Sequence, residues 1–569
     1  MVFETLGAFY PEWMASLGID KFDTGVLDLK ADRVKRIDAA LAAQVARLSR
    51  LKAKESDHRV REDLDIVIDA LERQRRTAAL EYRLLLPFDD LPRQLFQALQ
   101  NLLDLRNPVE RRQHALGLLR GYAGMEPGSV PIAQLARERL EERANAGVLW
   151  PYRGQVEQQL HNCDRYIAGM AELFRAGAVQ GWESAHERLA TQLRAHCDWV
   201  RSAVLPRARS TPALPRELYA DRLKNVGVDI TPEQAIALGT ATFAEVRDEM
   251  ALVAADIARE RKLPSADYRQ VLRELKREVL APDVILPFYK ERLADIERII
   301  TRERLVSLPQ RAASIRLASE AESAAVPAPY LNVPRLIGNR GEVGEFVLPL
   351  SNPNVKSGAR ADDFTSPASA WSLTAHEARP GHELQFAAMV ERGVSLARAV
   401  FAANSTNAEG WGLYSEAIML PHFPREGQFF GLQLRLMRAA RAFLDPMVNL
   451  GRLEPEAAKQ YLMREVTLSE ALAQQEADRY AFREPGQAVS YLYGYSRLRE
   501  LRLKAEIALG EKFNPQEFHD LIIAQGLLPP ALLERAVLAE LTRRYPGTAK
   551  APGSASSADS RPPRAGSAR

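Results

Sequence analysis

The sequence predicts a mainly α-helical body with a small β-sheet beside a cleft. Two observations carry the fold. Segments rich in Ala, Leu, Arg and Glu recur at helical spacing through most of the chain. Only between Leu308 and Leu350 does the texture change, to short apolar stretches bounded by Pro or Gly. This divides the chain into an N-terminal helical region (1–307), a region with the sheet and the candidate site (308–545), and a tail (546–569) of Ala, Gly, Ser, Pro and Arg expected to be disordered.

In the first region, Thr231-Pro232-Glu233-Gln234 has a capping threonine, a proline at the first helical position and a glutamine placed to cap back. Helices are expected to break near Pro151, Pro206, Pro215 and Pro264. In the second, Ala313–Leu317 alternates as a strand does, and Tyr330–Val333 and Glu345–Leu348 complete a sheet of two to four strands. Residues 345–348 are the candidate edge for pairing an extended peptide by its backbone. Helix resumes near Pro367, with starts at Thr467-Leu468-Ser469-Glu470 and Asn514-Pro515-Gln516-Glu517.

Composition excludes several classes of function. Hydrophobic residues make up 46% and charged residues 27%, as in ordinary globular proteins, and the formal net charge is only +3. No basic run interleaved with aromatics marks a nucleic-acid surface. No stretch has the roughly 20 apolar residues of a membrane helix. Met1–Asp20 lacks a basic region followed by an apolar core. The expected compartment is therefore the cytoplasm for the chain as it stands, or the periplasm if a leader has been removed. Two distant cysteines, Cys163 and Cys197, make no thiolate metal site, so any metal must be held by His and carboxylates, and only nine histidines are available.

Two of them stand in His376-Glu377-Ala378-Arg379-Pro380-Gly381-His382. Hydrolysing an amide at neutral pH needs an activated water and a stabilised oxyanion, and zinc supplies both. The usual helical arrangement has histidines at i and i+4, with a glutamate after the first as base. Here the spacing is i and i+6, about 240° around a regular helix. Pro380 and Gly381 change that conclusion. Proline disfavours helix at Arg379, glycine tolerates angles closed to other residues, and a helix broken between the histidines can bring them together. The third ligand is expected in Asn407–Glu416. Glu409 is preferred because Ala408, Gly410 and Gly412 permit close approach, while Glu416, about 20° off the same face, would orient a ligand histidine. His422 is a weaker alternative.

His376-Glu377-x-x-Pro380-Gly381-His382 with Leu384-Gln385, Glu409-Gly410-Trp411-x-Leu413-Tyr414-x-Glu416, and Pro485-Gly486-Gln487-Ala488-x-Ser490-Tyr491-x-x-Gly494 together resemble the bacterial domain-of-unknown-function family 885. The sharp motifs cover about residues 370 to 502. Members look like distant relatives of gluzincin-type zinc peptidases with a helical body. The resemblance implies one zinc ion on His376, His382 and Glu409, Glu377 as general base, and short peptides or other small amides as substrates. One stretch departs from the pattern: Asp445-Pro446-Met447-Val448-Asn449 stands where members often have Asp-x-Gly-x-His.

Tyr491, Tyr495, Leu498 and Arg502 share a helix face to within about 40°. Tyr491 is expected to donate to the oxyanion, with Tyr495 lining the substrate and Arg502 holding its carboxylate. Arg479 and Arg497 are alternatives for that last role. The resulting expectation is a zinc metallopeptidase. Its rivals are a zinc amidase or esterase acting on a non-peptide metabolite, and a non-catalytic helical binding protein.

Overall fold

The computed structural model describes residues 1–350 and 362–546. Apart from residue 546, the expected disordered tail lies outside them. The protein is mainly helical with one three-stranded sheet among the described residues. No helix of these residues is long and apolar enough to cross a membrane.

The start signals have physical counterparts. Thr231 accepts from Gln234 N while Gln234 Oε1 accepts from Thr231 N, opening the 30-residue helix α1 (Pro232–Arg261). Asn514 caps the helix Pro515–Ala524 through Glu517 N. At the third signal the cap is displaced. Thr467 has a left-handed φ of 61°, and Ser469 caps the helix Glu470–Asp478 instead. Lys276 Nζ takes the Thr467 carbonyl and Asp363 holds Ser469 N, so the chain cannot turn helical until Glu470. The expected proline breaks all lie between helices or at their edges, with Pro206 in a 3-10 turn and Pro215 immediately before Arg216–Asn225.

The three expected strands form as β1 (Ser314–Leu317), β2 (Tyr330–Asn332) and β3 (Glu345–Leu348). The spatial order is β1-β3-β2, with β3 parallel to β1 and antiparallel to β2. Residues 345–348 are therefore the central strand, correcting the expectation of an edge. Phe346, Val347 and Leu348 have no exposure, and a strand apolar on both faces belongs in the middle. Both sides of its backbone are already paired, so β1 and β2 are the edges.

The boundary at 307/308 is one of texture and not of packing. A single core runs from Leu6 to Leu541, and a second core gathers residues of 91–199 with Ala321, Ala324 and Ala325. Five helices of the C-terminal half surround the candidate site: α2 (Ser369–Glu377), α3 (His382–Arg392), α4 (Ser405–Met419), α5 (Arg425–Asn449) and α6 (Val489–Leu509). Helix α5 is buried along most of its length and lies against α1. A Cβ on Gly239 of α1 would come within 2.9 Å of the Ala439 carbonyl oxygen. Helices α4 and α6 meet backbone to backbone. A Cβ on Gly410 would lie 2.7 Å from Gly494 Cα, and one on Gly494 would lie 2.1 Å from the Thr406 carbonyl oxygen. This contact carries Glu409 and Tyr491 to the same place.

Adding one methyl group at that crossing forces two helices apart. Gly494→Ala is expected to lower stability by about 3 kcal/mol, visible as a lower midpoint of urea unfolding. An unchanged midpoint would show that the crossing is less tight than its geometry.

Candidate metal centre

Helix α2 ends at Glu377 and α3 begins at His382, so the chain leaves helical geometry between the two histidines. Ala378 has φ −98° and ψ −103°, Gly381 has φ −76° and ψ −133°, and the Arg379-Pro380 peptide is cis. Gly381 cannot be replaced without a shift, because a Cβ there would stand 1.8 Å from the His376 carbonyl oxygen. Two side chains hold the break. Trp411 Nε1 donates to the Pro380 carbonyl at 2.9 Å, and the buried Arg379 donates to Glu383 and Glu297, each at 2.6 Å. Neither role was anticipated from the sequence, although Arg379 and Glu383 have the i,i+4 spacing of an ion pair. The sheet lies close by: Gly344, just before β3, packs against Glu383, the residue after His382.

Across the break the imidazoles meet edge to face, with ring centroids 4.7 Å apart. Glu409 Oε2 lies 3.4 Å from His376 Nε2 and 3.2 Å from His382 Nε2, and one donor atom from each residue falls within 4.8 Å of the others. Bonds of 2.0–2.1 Å in tetrahedral array put donor atoms about 3.4 Å apart. The two carboxylate–imidazole separations match that spacing, so His376, His382 and Glu409 are the side chains that could hold a cation.

Both carboxylates of α4 embrace the His376 ring. Glu409 takes the Nε2 side, and Glu416 Oε1 accepts from Nδ1 at 2.7 Å. That bond leaves Nε2 as the ligand nitrogen. The ring rests on Gly412, where a Cβ would come within 2.6 Å of Cε1. Glu416 is in turn held by Arg438 of α5 at 3.1 Å. The Pro485–Gln487 motif supports Glu409 from the other side, with Gln487 Nε2 3.4 Å from its second oxygen. Asp445 fixes that motif by accepting from Gly486 N at 3.0 Å. Asn449, at the position where the sequence departs from the family pattern, donates to Asp445 and to the Tyr480 carbonyl. In this chain that position therefore anchors the supporting loop.

The electrostatics favour a cation. Burial opposes charge on His376, yet Glu409 and Glu416 prevail and push it up to about 9. Glu409 is held well below the usual carboxylate range because the two histidines outweigh its burial. Burial pushes Glu377 up despite its cationic neighbours. A proton on His376 supplies positive charge between Glu409 and Glu416.

Tyr491 stacks near His376, with centroids 6.2 Å apart and planes at 14°, and burial together with the Glu409 charge raises its hydroxyl. Tyr495 lies between Arg435 and Arg499, whose guanidiniums are 5.7 and 5.6 Å from its ring. Arg502 is not brought to the cluster. It lies two turns beyond the Gly494 crossing and binds Glu506, Tyr414 and the Phe513 face. Arg497 pairs with Glu500 and Glu534. His422 belongs to the turn after α4, where its charge acts on Glu303.

Known proteins share this fold. The crystal structure of a candidate lipoprotein from Colwellia psychrerythraea matches with a TM-score of 0.78 and 18% identity, over 95% of this chain and 97% of that one. A candidate lipoprotein of unknown function from Shewanella oneidensis matches with a TM-score of 0.68 and 16% identity, over 94% and 98%. At such identities the likeness is one of fold. No curated protein matches the sequence. The family described as bacterial protein of unknown function (DUF885) matches residues 11–537, and the chain belongs to it.

Glu416→Gln keeps the size of the side chain but weakens the acceptor behind His376. Zinc affinity is expected to fall roughly 10- to 100-fold, measured by competition with a chelator. Unaltered affinity would mean that Glu416 does not orient the ligand.

Proposed function

We propose that the protein is a zinc-dependent metallopeptidase acting on short peptides. The observation that carries the reading is the meeting of His376, His382 and Glu409 with donor atoms within 4.8 Å of one another, with Glu416 behind His376 and Glu377 next to it in the chain. A zinc ion held by those three residues supplies Lewis-acid polarisation of a carbonyl and a more acidic water.

The remaining roles belong to the chain. Glu377 is buried next to His376, and its raised pKa suits a carboxylate that takes a proton from water and passes it to a leaving amine. The Tyr491 hydroxyl, on the face of His376, is placed to donate to an oxyanion. Its own oxygen receives a hydrogen bond from Arg479 at 3.4 Å, which leaves the phenolic proton available to substrate. The buried Glu416–Arg438 pair, and Asp445 accepting from Gly486 N, keep the ligand helices in place.

The proposed compartment is outside the cytoplasm. Cys163 and Cys197, 34 residues apart, form a disulfide, and such bridges persist in oxidising compartments. Both solved relatives are described as lipoproteins. Alkylation of protein from its native cells without reduction should find no free thiol, and two reactive thiols would defeat this assignment.

Glu377→Gln is expected to retain stoichiometric zinc while hydrolysis of a short peptide panel drops by a factor of about 100 or more. Full activity in a zinc-loaded Glu377→Gln protein would overturn the mechanism. Turnover of acylated metabolites but of no peptide would replace it with the amidase or esterase reading.

A further inference from the structure

The residues around Tyr491 form a group that metal binding and proton transfer leave unused. Three guanidiniums face its ring: Arg441 at 4.3 Å from the centroid, and Arg438 and Arg479 at 5.8 Å. Two carboxylates stand against them. Glu416 meets Arg438 at 3.1 Å and is shared with His376. Glu476 is gripped by Arg441 through two bonds of 2.6 and 2.7 Å, and Tyr480 Oη donates to it at 2.9 Å. Arg479 reaches the same Glu476 at only 3.6 Å, and its guanidinium donates to Tyr491 Oη at 3.4 Å. The Glu409 and Glu484 charges act on it from further away. Of those, Glu484 is exposed to solvent and Glu409 belongs to the metal ligands. Arg479 is partly exposed, and its ion pair with Glu476 at 3.6 Å is looser than the two-bond Arg441 pair.

Its position gives this looser pairing a direction. Arg479 opens a π-helical turn, Arg479–Arg483, a local widening of the helix often found at functional sites. It lies one phenol ring away from His376, through Tyr491. A peptide advances about 3.5 Å per residue, so one or two residues cover such a gap. Behind Arg479 stand Glu476 and Tyr480, both with no exposure, and a chain cannot continue past them.

Accepting the metallopeptidase reading above, we propose that Arg479 receives the free C-terminal carboxylate of the substrate, so that the enzyme removes one or two residues from the carboxyl end of short peptides. The guanidinium fork matches a carboxylate in two parallel bonds, and burial strengthens both. Arg479 thus takes the role first assigned to Arg502. An amidated C-terminus offers no such charge.

Zinc-loaded Glu377→Gln protein, its metal content checked, allows binding to be measured by calorimetry without turnover. The probes are N-acetyl-Ala-Ala as the free acid and as its C-terminal amide. The acid is expected to bind roughly 10- to 100-fold more tightly. Adding Arg479→Met should close the gap, whereas Arg479→Lys should keep part of it. In the chain with Glu377 intact, Arg479→Met should raise KM for the acid far more than it lowers kcat. Equal binding of acid and amide, binding of neither, or a gap that survives Arg479→Met would each overturn the proposal. Acid-selective binding without hydrolysis by the unsubstituted chain would support the carboxylate site and defeat the peptidase reading. Hydrolysis of acid and amide alike would do the reverse.

Discussion

The candidate centre depends on a steric constraint at Gly381. Its Cα sits so close to the His376 carbonyl that no side chain fits there. That closeness lets the chain leave one helix and enter the next within four residues, turning a histidine that would lie on the wrong face back toward its counterpart. The Trp411 indole on the Pro380 carbonyl and the Arg379 pairs with Glu383 and Glu297 fix the break from outside. Helix α4 is then bound to the break twice, through Trp411 and through the His376 ring lying on Gly412. Glu409 is positioned by the same helix that clamps the break.

Around this break the charges alternate outward. Carboxylates surround the histidines, arginines of α5 stand behind the carboxylates, and Glu476 stands behind the arginines. Most members of the series have close, well-aligned partners, which keeps buried charge tolerable. Arg479 differs from Arg441 in meeting Glu476 only at 3.6 Å.

Much of this was legible in the sequence because it rests on local chemistry. The reciprocal Thr231 and Gln234 cap, the three strands and the Pro-Gly break each follow from residues within a few positions of one another. Glu409 and Glu416 were legible because a seven-residue interval holds one helix face. What was missed depends on packing between distant segments. Periodicity marks Glu345–Leu348 as a strand, but strand order comes from which sides are paired in three dimensions. Tyr491 and Arg502 share a face of α6, but the crossing at Gly494 keeps only the first near the metal ligands. Thr467 looked like a cap until Lys276 and Asp363, far away in the chain, took its carbonyl and its neighbour's amide.

The glycines at 381, 410, 412 and 494 bring no reactive group to the centre, yet each marks a place where atoms of two segments nearly touch. This reverses the usual logic of an alanine scan, which infers a residue's contribution from what is removed. At these four positions alanine adds matter, and the lost activity would belong to whatever was displaced: the His376 carbonyl, the α6 backbone, the His376 ring or the Thr406 carbonyl. A mutational map of this protein will therefore show its deepest scars where there is no chemistry, and those scars will outline the mould in which the chemical residues are cast.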